Sequence, residues 1–409
     1  MTQATAPTRG PYSPAIRRDA RTLHQPAVSM WSVGWLCVIA AAALSALGVF
    51  AIGTTIGTDE PDYAMKHLMH TAIGVVAALL VAVPHYRWIQ RASYPLLAVI
   101  VGLLIFVLVP WVPQELVRPR NGARRWINLG VTDFQPSELA KIAYVLSLAS
   151  YLRFRSNYRR LPGLLLPLAL TFLPLGLVLV EPDLGTAMLF LPTFLAMLIA
   201  AGARLKHIAL VILLGLSLAP TMYPLLEDHQ KDRVKAMVAQ MTGDTRYELG
   251  IGYQGARART LVGAGGVTGV GRQHAADLLN YNKLPFDHND MIFAVVCCRW
   301  GLLGGLATWA LFGLLGLGGA LAAAHCKDPF GRLVAVGIVA ILFAQMIINT
   351  GMTIGVLPIT GMTLPFVSYG GSSVISAWLM IGLLVNIAMR RSRYMAREAF
   401  DFGEDEVTK

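Results

Sequence analysis

The chain has 409 residues, 55% of them hydrophobic and only 14% charged, with a formal net charge of +11; its mean hydropathy is +0.57. That is far more apolar and less charged than an average soluble domain, so the composition excludes an ordinary soluble enzyme and fits a polytopic membrane protein. The basic excess falls where short cytoplasmic loops of such a protein collect Lys and Arg, which makes a nucleic-acid partner unnecessary.

In chain order, residues 1–29 read as a flexible cytoplasmic tail without a signal-peptide stretch. Apolar runs long enough to cross a bilayer core follow at Trp31–Gly53, His67–His85, Tyr94–Pro113, Ser137–Leu152, Leu161–Val180, Leu184–Gly202, His207–Leu226, Met291–Ala324, Leu333–Gly351 and Gly371–Met389. The fold class expected is therefore all-α polytopic, with about ten transmembrane helices and a large extracytoplasmic loop between the seventh and eighth. The run after Met291 is long for one crossing and must tilt or extend beyond the bilayer. With both termini inside, "HYRWIQR", "RFRSNYRR", "GARLKH" and "HCKDPFGR" are inner loops and the acidic "TDEPDY" is outer, as the positive-inside rule requires. Residues 30–390 form the membrane domain, 227–290 its large outer loop, and 391–409 an acidic-ended tail. None of Cys37, Cys297, Cys298 and Cys326 sits where a disulfide would form, and the adjacent pair lacks a zinc-site spacing.

Polarity breaks the pattern at the outer face. In "QELVRPRNGARRWINLGVTDFQPSE", Arg118, Arg120, Arg124 and Arg125 stand where the rule predicts few cations, and planar guanidinium groups beside a membrane suit phosphate recognition. Pro136 and Ser137 read as first-turn and capping residues of the next span, and Glu138 and Lys141 are spaced for an ion pair on one helix face. "EPD" at Glu181–Asp183 is either a solvated turn or part of a site. Glycines 263, 265, 266, 269 and 271 lack the strand and the "GKS" or "GKT" of a phosphate loop; they suit close backbone approach instead. The apolar "GVLPITGMTLPFVSYGGSS" is interrupted by Pro358, Pro365, Gly370 and Gly371, so it folds back against protein or a wet cavity. In "LPFDHND", Asp290 begins a span: either it caps the helix, or its partial desolvation raises its pKa toward the range useful for proton abstraction.

"NGARRWINLGVTDFQPSELAK", "EPDLGTAM", "YQGARARTLVGAGGVTGVG", "LPFDHNDMIFAV" and "LPITGMTLPFVSYGGSS" occur in the order found in the shape, elongation, division and sporulation (SEDS) family. Over residues 30 to 390 the chain resembles its RodA and FtsW branches, with the balance slightly toward RodA. The resemblance implies a glycosyltransferase of the bacterial cytoplasmic membrane that polymerises lipid II into peptidoglycan for elongation or division. A class B penicillin-binding protein and other elongasome or divisome membrane proteins are the implied partners. The family's catalytic aspartate falls on Asp290, which would take a proton from the acceptor hydroxyl. Arg124, Arg125 or Arg257 would hold the departing diphosphate, helped by Gln254, Ser368, Gly370 and Gly371. Glu138, Lys141, Asp287, His288, Glu181, Asp183 and Arg299 would support them. The sequence specifies no cofactor; a divalent cation, magnesium or manganese, could share the charge, with no ligand set that can be named.

Three departures stand out. Where the family usually has Glu, Ala and Thr in this motif, the chain has Phe286, Asp287 and Asn289, so Asp287 would supply the missing acid one position later. Cys298 and Arg299 replace a pair of glutamates, and Arg299, about 13 Å along the helix from Asp290, is expected to pair with Glu138 or Asp183 inside the bilayer. Two other functions share many of these features: a transporter of a lipid-linked precursor, for which broken helices and buried charge are equally suited, and a non-catalytic scaffold for a penicillin-binding protein.

Overall fold

The computed structural model describes residues 32–55, 62–120, 123–128, 130, 133–153, 161–222, 224, 228–242, 250 and 252–390. The expected tails, most of "TDEPDY" and most of "RFRSNYRR" lie outside the described residues. The elements are α1 (Gly34–Thr55), α2 (Tyr63–Ala82), α3 (Tyr86–Leu108), β1 (Val117–Arg120), β2 (Ala123–Asn128), β3 (Asp133–Phe134), α4 (Pro136–Leu152), α5 (Leu165–Val180), α6 (Leu184–Ala200), α7 (Leu205–Met222), α8 (Asp228–Thr242), α9 (Tyr253–Gly265), α10 (Arg272–Asn282), α11 (Ile292–His325), α12 (Pro329–Ile354) and α13 (Gly371–Met389).

Among the described residues, α1, α2, α3, α5, α11, α12 and α13 are long and apolar enough to cross a membrane, α5 together with the short turn before it. The other three expected spans are also helical, as α4, α6 and α7, with 17, 17 and 18 residues. Leu68, Val76, Leu79 and Leu80 of α2 and Leu165, Phe172 and Leu173 of α5 are exposed. On a soluble protein such surface would aggregate; in a bilayer it meets acyl chains, and the chain is a multi-pass membrane protein.

Buried in the centre, α12 packs against α4, α6, α11 and α13. Its Thr350 and Thr353 donate to the carbonyls of Met346 and Asn349, four residues back, so the hydroxyls are satisfied within the helix. Asn386 of α13 donates to Val81 O and Pro84 O (2.7 and 2.6 Å), which ties the α2–α3 turn to the bundle. That turn is shorter than the expected "HYRWIQR" loop: α3 begins at Tyr86, with His85 at its N-cap, so Arg87 and Arg91 ride on its first turns. Trp88, 66% exposed, lies beside Arg91 in a cation–π contact of 5.3 Å, as suits a headgroup-level anchor.

Two departures from plain helices position the site. The strands β1, β2 and β3 form a three-stranded antiparallel sheet in that order, buried at Val117 and Ile127 against Val107 of α3. The second is a break in α11, which has 34 residues and would run about 51 Å if straight. Gly301 takes φ 67 and ψ −161 there, so the long run is split rather than merely tilted. Into the break goes the turn after α9: Leu302 N and Leu303 N donate to Gly266 O and Val267 O, and Val270 N and Gly271 N donate to Cys298 O and Arg299 O. The interrupted backbone groups are thus satisfied within the protein, as a membrane interior demands. Close approach explains the glycines: a Cβ on Gly265 would stand 1.9 Å from Cys297 O, and one on Gly269, at φ +83, 2.2 Å from Arg299 O.

Candidate functional site

Asp290 ends a tight turn that Phe286 opens with φ 55. Asn289 N and Met291 N both donate to Phe286 O, closing the turn. The N-cap of α11 is Met291, with no side chain capping the helix, so Asp290 is not spent as a cap. Its backbone is held by α12, its carboxylate is reached from α9, and the 358–370 segment lies close by. Asn349 of α12 donates to Asp290 O at 2.7 Å and to Met362 O at 2.6 Å. Gln254 of α9 reaches Asp290 Oδ2 at 3.5 Å and Pro285 O at 3.4 Å. A Cβ on Gly361 would lie 3.8 Å from the same Oδ2. Asp290 is 8% exposed, so the acid is recessed behind the turn rather than solvated.

Asp287 and His288 stand on the turn's open side. Asp287 Oδ1 accepts from His288 N at 2.8 Å and pairs with His288 Nδ1 at 3.0 Å. His288 O accepts from Tyr369 N, which joins this turn to the segment 358–370. Ser368 is buried, and its hydroxyl accepts from Leu364 N, so it secures a turn rather than facing a ligand. Gly370 is the N-cap of α13 and Gly371 its first residue.

A second polar group lies where α4, the α5–α6 turn and α13 meet. Glu138 and Lys141 form the expected ion pair, at 2.9 Å, with side chains 7% and 1% exposed. Ser376 of α13 donates to Glu138 Oε2 at 2.6 Å. Pro136 is the first residue of α4, as expected, but Gln135 is the N-cap and Ser137 turns elsewhere. Ser137 Oγ and Gln135 Nε2 both donate to Asp183 Oδ2, while Asp183 Oδ1 caps α6 by accepting from Thr186 N. The "EPD" turn is therefore buried and structural at Asp183, not solvated. Glu181 is fully buried with neither side-chain oxygen hydrogen-bonded. Burial, reinforced by Asp183 and opposed by Arg125, pushes its carboxyl up to about 8.

The arginines divide. Arg124 donates to Pro110 O and Val112 O, at 3.0 and 2.8 Å. Arg125 donates to Glu181 O at 2.7 Å and to Pro182 O, so one guanidinium holds β2 to the connection after α3 and the other holds it to the α5–α6 turn, both by backbone carbonyls. Arg257 lies one turn beyond Gln254 on α9, on the same helix face, and donates to Asn282 Oδ1 at 3.2 Å while packing 5.0 Å from the Tyr253 ring. Arg299 does not pair with Glu138 or Asp183. It donates to Phe50 O at 2.5 Å and Thr54 Oγ1 at 2.8 Å in the last turns of α1, and stacks 4.2 Å from the Trp300 ring. Helix-end carbonyls and an aromatic face replace the carboxylate, because a helix C-terminus carries partial negative charge.

Sequence reasoning missed Asn349, Gln135, Ser376 and Tyr369. Asn349 had a signal, since an amide inside an apolar span must find hydrogen-bond partners in the protein. Among the described residues no group of three or more His, Cys, Asp or Glu could hold a metal ion. The small cavity lined by Val33, His325, Cys326 and Arg390 lies at the opposite end of α11 from Asp290.

An all-α, multi-pass fold with a recessed acid at the start of a span, fixed at its backbone by Asn349 and reached at its carboxylate by Gln254, defines a membrane protein with a site at one end of its bundle. A model of the FtsW, RodA and SpoVE group, described as "Cell cycle protein", matches residues 28–393, and the chain belongs to that family. It is 35% identical to "Probable peptidoglycan glycosyltransferase FtsW" of Coxiella burnetii over 88% of this chain and 96% of the relative. It is 34% identical to "Stage V sporulation protein E" of Bacillus subtilis, over 82% and 89%, and 33% identical to "Peptidoglycan glycosyltransferase MrdB" of Escherichia coli, over 82% and 98%. A chain in a structure entitled "Structural coordination of polymerization and crosslinking by a peptidoglycan synthase complex" superposes with a TM-score of 0.74 at 30% identity, covering 88% of this chain and 98% of that one. Rod shape determining protein RodA of Thermus thermophilus gives 0.64 at 28% identity, with the same coverage.

Proposed function

We propose that this protein is a peptidoglycan glycosyltransferase that polymerises lipid II, with Asp290 as its general base. The carrying observation is the placement of Asp290: 8% exposed, not spent as a helix cap, and fixed through Asn349 and Gln254. A carboxylate so shielded is suited to take the proton of the acceptor sugar's hydroxyl as that oxygen attacks the anomeric carbon of the donor. The bond from that carbon to the undecaprenyl diphosphate breaks with inversion, and the diphosphate leaves with the bonding electrons. Arg257, on the helix face that carries Gln254, is the arginine best placed to receive that charge; Arg124 and Arg125 serve as scaffolding. Both termini lie in the cytoplasm in this reading, and the Asp290 end of the bundle faces outward from the bacterial inner membrane. The partner is a class B penicillin-binding protein, consistent with the synthase complex among the solved relatives.

The test is polymerisation of labelled lipid II by purified protein, alone and with the cognate penicillin-binding protein. Asp290→Ala should lose about 100-fold or more in rate, the contribution of a positioned base. A variant as active as the wild type would refute the assignment. A transporter would make no glycan in detergent, where there is no second compartment.

A further inference from the structure

Beside the base, four rings from three segments of the chain converge. Tyr63, on the first turn of α2, stacks on His288 with centroids 4.3 Å apart and planes 10° from parallel. Tyr369 meets Tyr63 edge-on at 5.0 Å and His288 at 5.9 Å. His70, about two helical turns further along α2, lies 6.0 Å from Tyr369. The cluster is fastened to the catalytic turn by covalent proximity and by the Tyr369 N to His288 O bond, so it moves with the loop that presents Asp290.

The polar atoms of Asp287 and His288 are not consumed by this packing. Asp287 takes His288 Nδ1, which orients the imidazole and leaves its other nitrogen on the ring's free edge. The Asp287 and His288 side chains keep 19% and 18% exposure, and Tyr63 is half-buried. His70 is 6% exposed, yet its Nδ1 is buried without a hydrogen-bond partner. A buried polar atom left unpaired costs free energy unless something supplies the bond. Aromatic rings with polar edges and a carboxylate at the rim match one ligand chemistry well. A pyranose has an apolar face of C–H groups and a rim of hydroxyls, each able to donate and accept.

We propose that Tyr63, His288 and Tyr369 form a platform for a sugar ring of the lipid-linked saccharide, holding the acceptor sugar beside Asp290. This rests on the polymerase reading and names the part of the site that takes the glycan. Asp287 is a positioning residue for the platform, acting through His288. The ring bodies supply area and the edges supply orientation, the division of labour by which Tyr serves at other recognition surfaces.

The experiment compares two lipids in detergent: undecaprenyl diphosphate bearing the disaccharide-pentapeptide, and the same carrier bearing the monosaccharide-pentapeptide. Binding is measured in the Asp290→Ala background, so that no lipid is consumed. The protein should bind the disaccharide lipid about tenfold more tightly, the ratio expected of one good aromatic contact with its hydrogen bonds. Adding Tyr63→Ala should erase that preference and leave the affinity for the monosaccharide lipid unchanged, whereas adding Tyr63→Phe should retain most of it. Equal affinity for the two lipids before Tyr63 is altered overturns the platform. So does an equal loss of both on Tyr63→Ala, the mark of a merely structural ring. The polymerase reading is judged separately, by turnover of the wild type: glycan synthesis with no preference between lipids would remove the platform alone, whereas no synthesis would remove both.

Discussion

Removing the ammonium of Lys141 would strand the Glu138 carboxylate where water cannot reach it. The two charges are 2.9 Å apart, with side chains 1% and 7% exposed; at an effective dielectric of about 20, unit charges at that distance attract by about 6 kcal/mol. Desolvation cancels much of this, and breaking a buried pair from one side costs about 3–5 kcal/mol, because the remaining charge is left uncompensated. Ser376, which donates to Glu138 Oε2 at 2.6 Å, offsets only part of that. Lys141→Met should therefore lower the thermal midpoint in detergent strongly. The double variant Lys141→Met, Glu138→Gln should recover most of the loss, since it leaves no buried charge. Because membrane proteins of this size unfold irreversibly when heated, the variants are compared at one scan rate. A single variant that melts with the wild type, or a double variant that melts as low as the single, would refute the reasoning.

Gly265→Ala should abolish accumulation of folded protein, read by size-exclusion of the solubilised chain, because its Cβ would stand 1.9 Å from the backbone oxygen of Cys297. Asn349→Ala removes the donor to both Asp290 O and Met362 O; with the base displaced, polymerisation should fall about 100-fold, while lipid binding falls much less. Glu181 supplies a pH dependence. Its carboxyl is pushed up to about 8 when folded, so the folded state holds a proton that the unfolded chain releases at ordinary carboxylate pKa. The resulting stabilisation is complete below that ordinary value and is lost as pH rises toward 8. The wild-type melting midpoint should fall between pH 5 and about pH 8, and Glu181→Gln should flatten that stretch of the profile.

The membrane class was readable in the sequence because hydropathy over a span reports the solvent directly. The Glu138–Lys141 pair was readable too, from its spacing on one helix face. What stayed hidden depends on neighbours far along the chain. Arg299 looked in need of a carboxylate, and nothing in its own stretch indicated that the end of α1 would offer Phe50 O and Thr54 Oγ1 instead. Arg124 and Arg125 looked like anion ligands, but the sheet that turns them onto the carbonyls at 110, 112, 181 and 182 is made by pairings that no local pattern encodes. Asp183 carried both a turn reading and a site reading; its role as a hub for Gln135, Ser137 and Thr186 emerges only when α4 meets α6. The glycines of 263–271 announced close approach without saying to what.

The splice between the turn after α9 and the split in α11 makes those two elements a single mechanical piece. Main-chain bonds cross the seam at four places between residues 266–271 and 298–303, so Gln254 and Arg257 cannot drift from Asp290 without tearing it. The proline-interrupted stretch 358–370 is tied to the same piece by the Asn349 amide, which bridges Asp290 O and Met362 O, and by the main-chain bond from Tyr369 to His288.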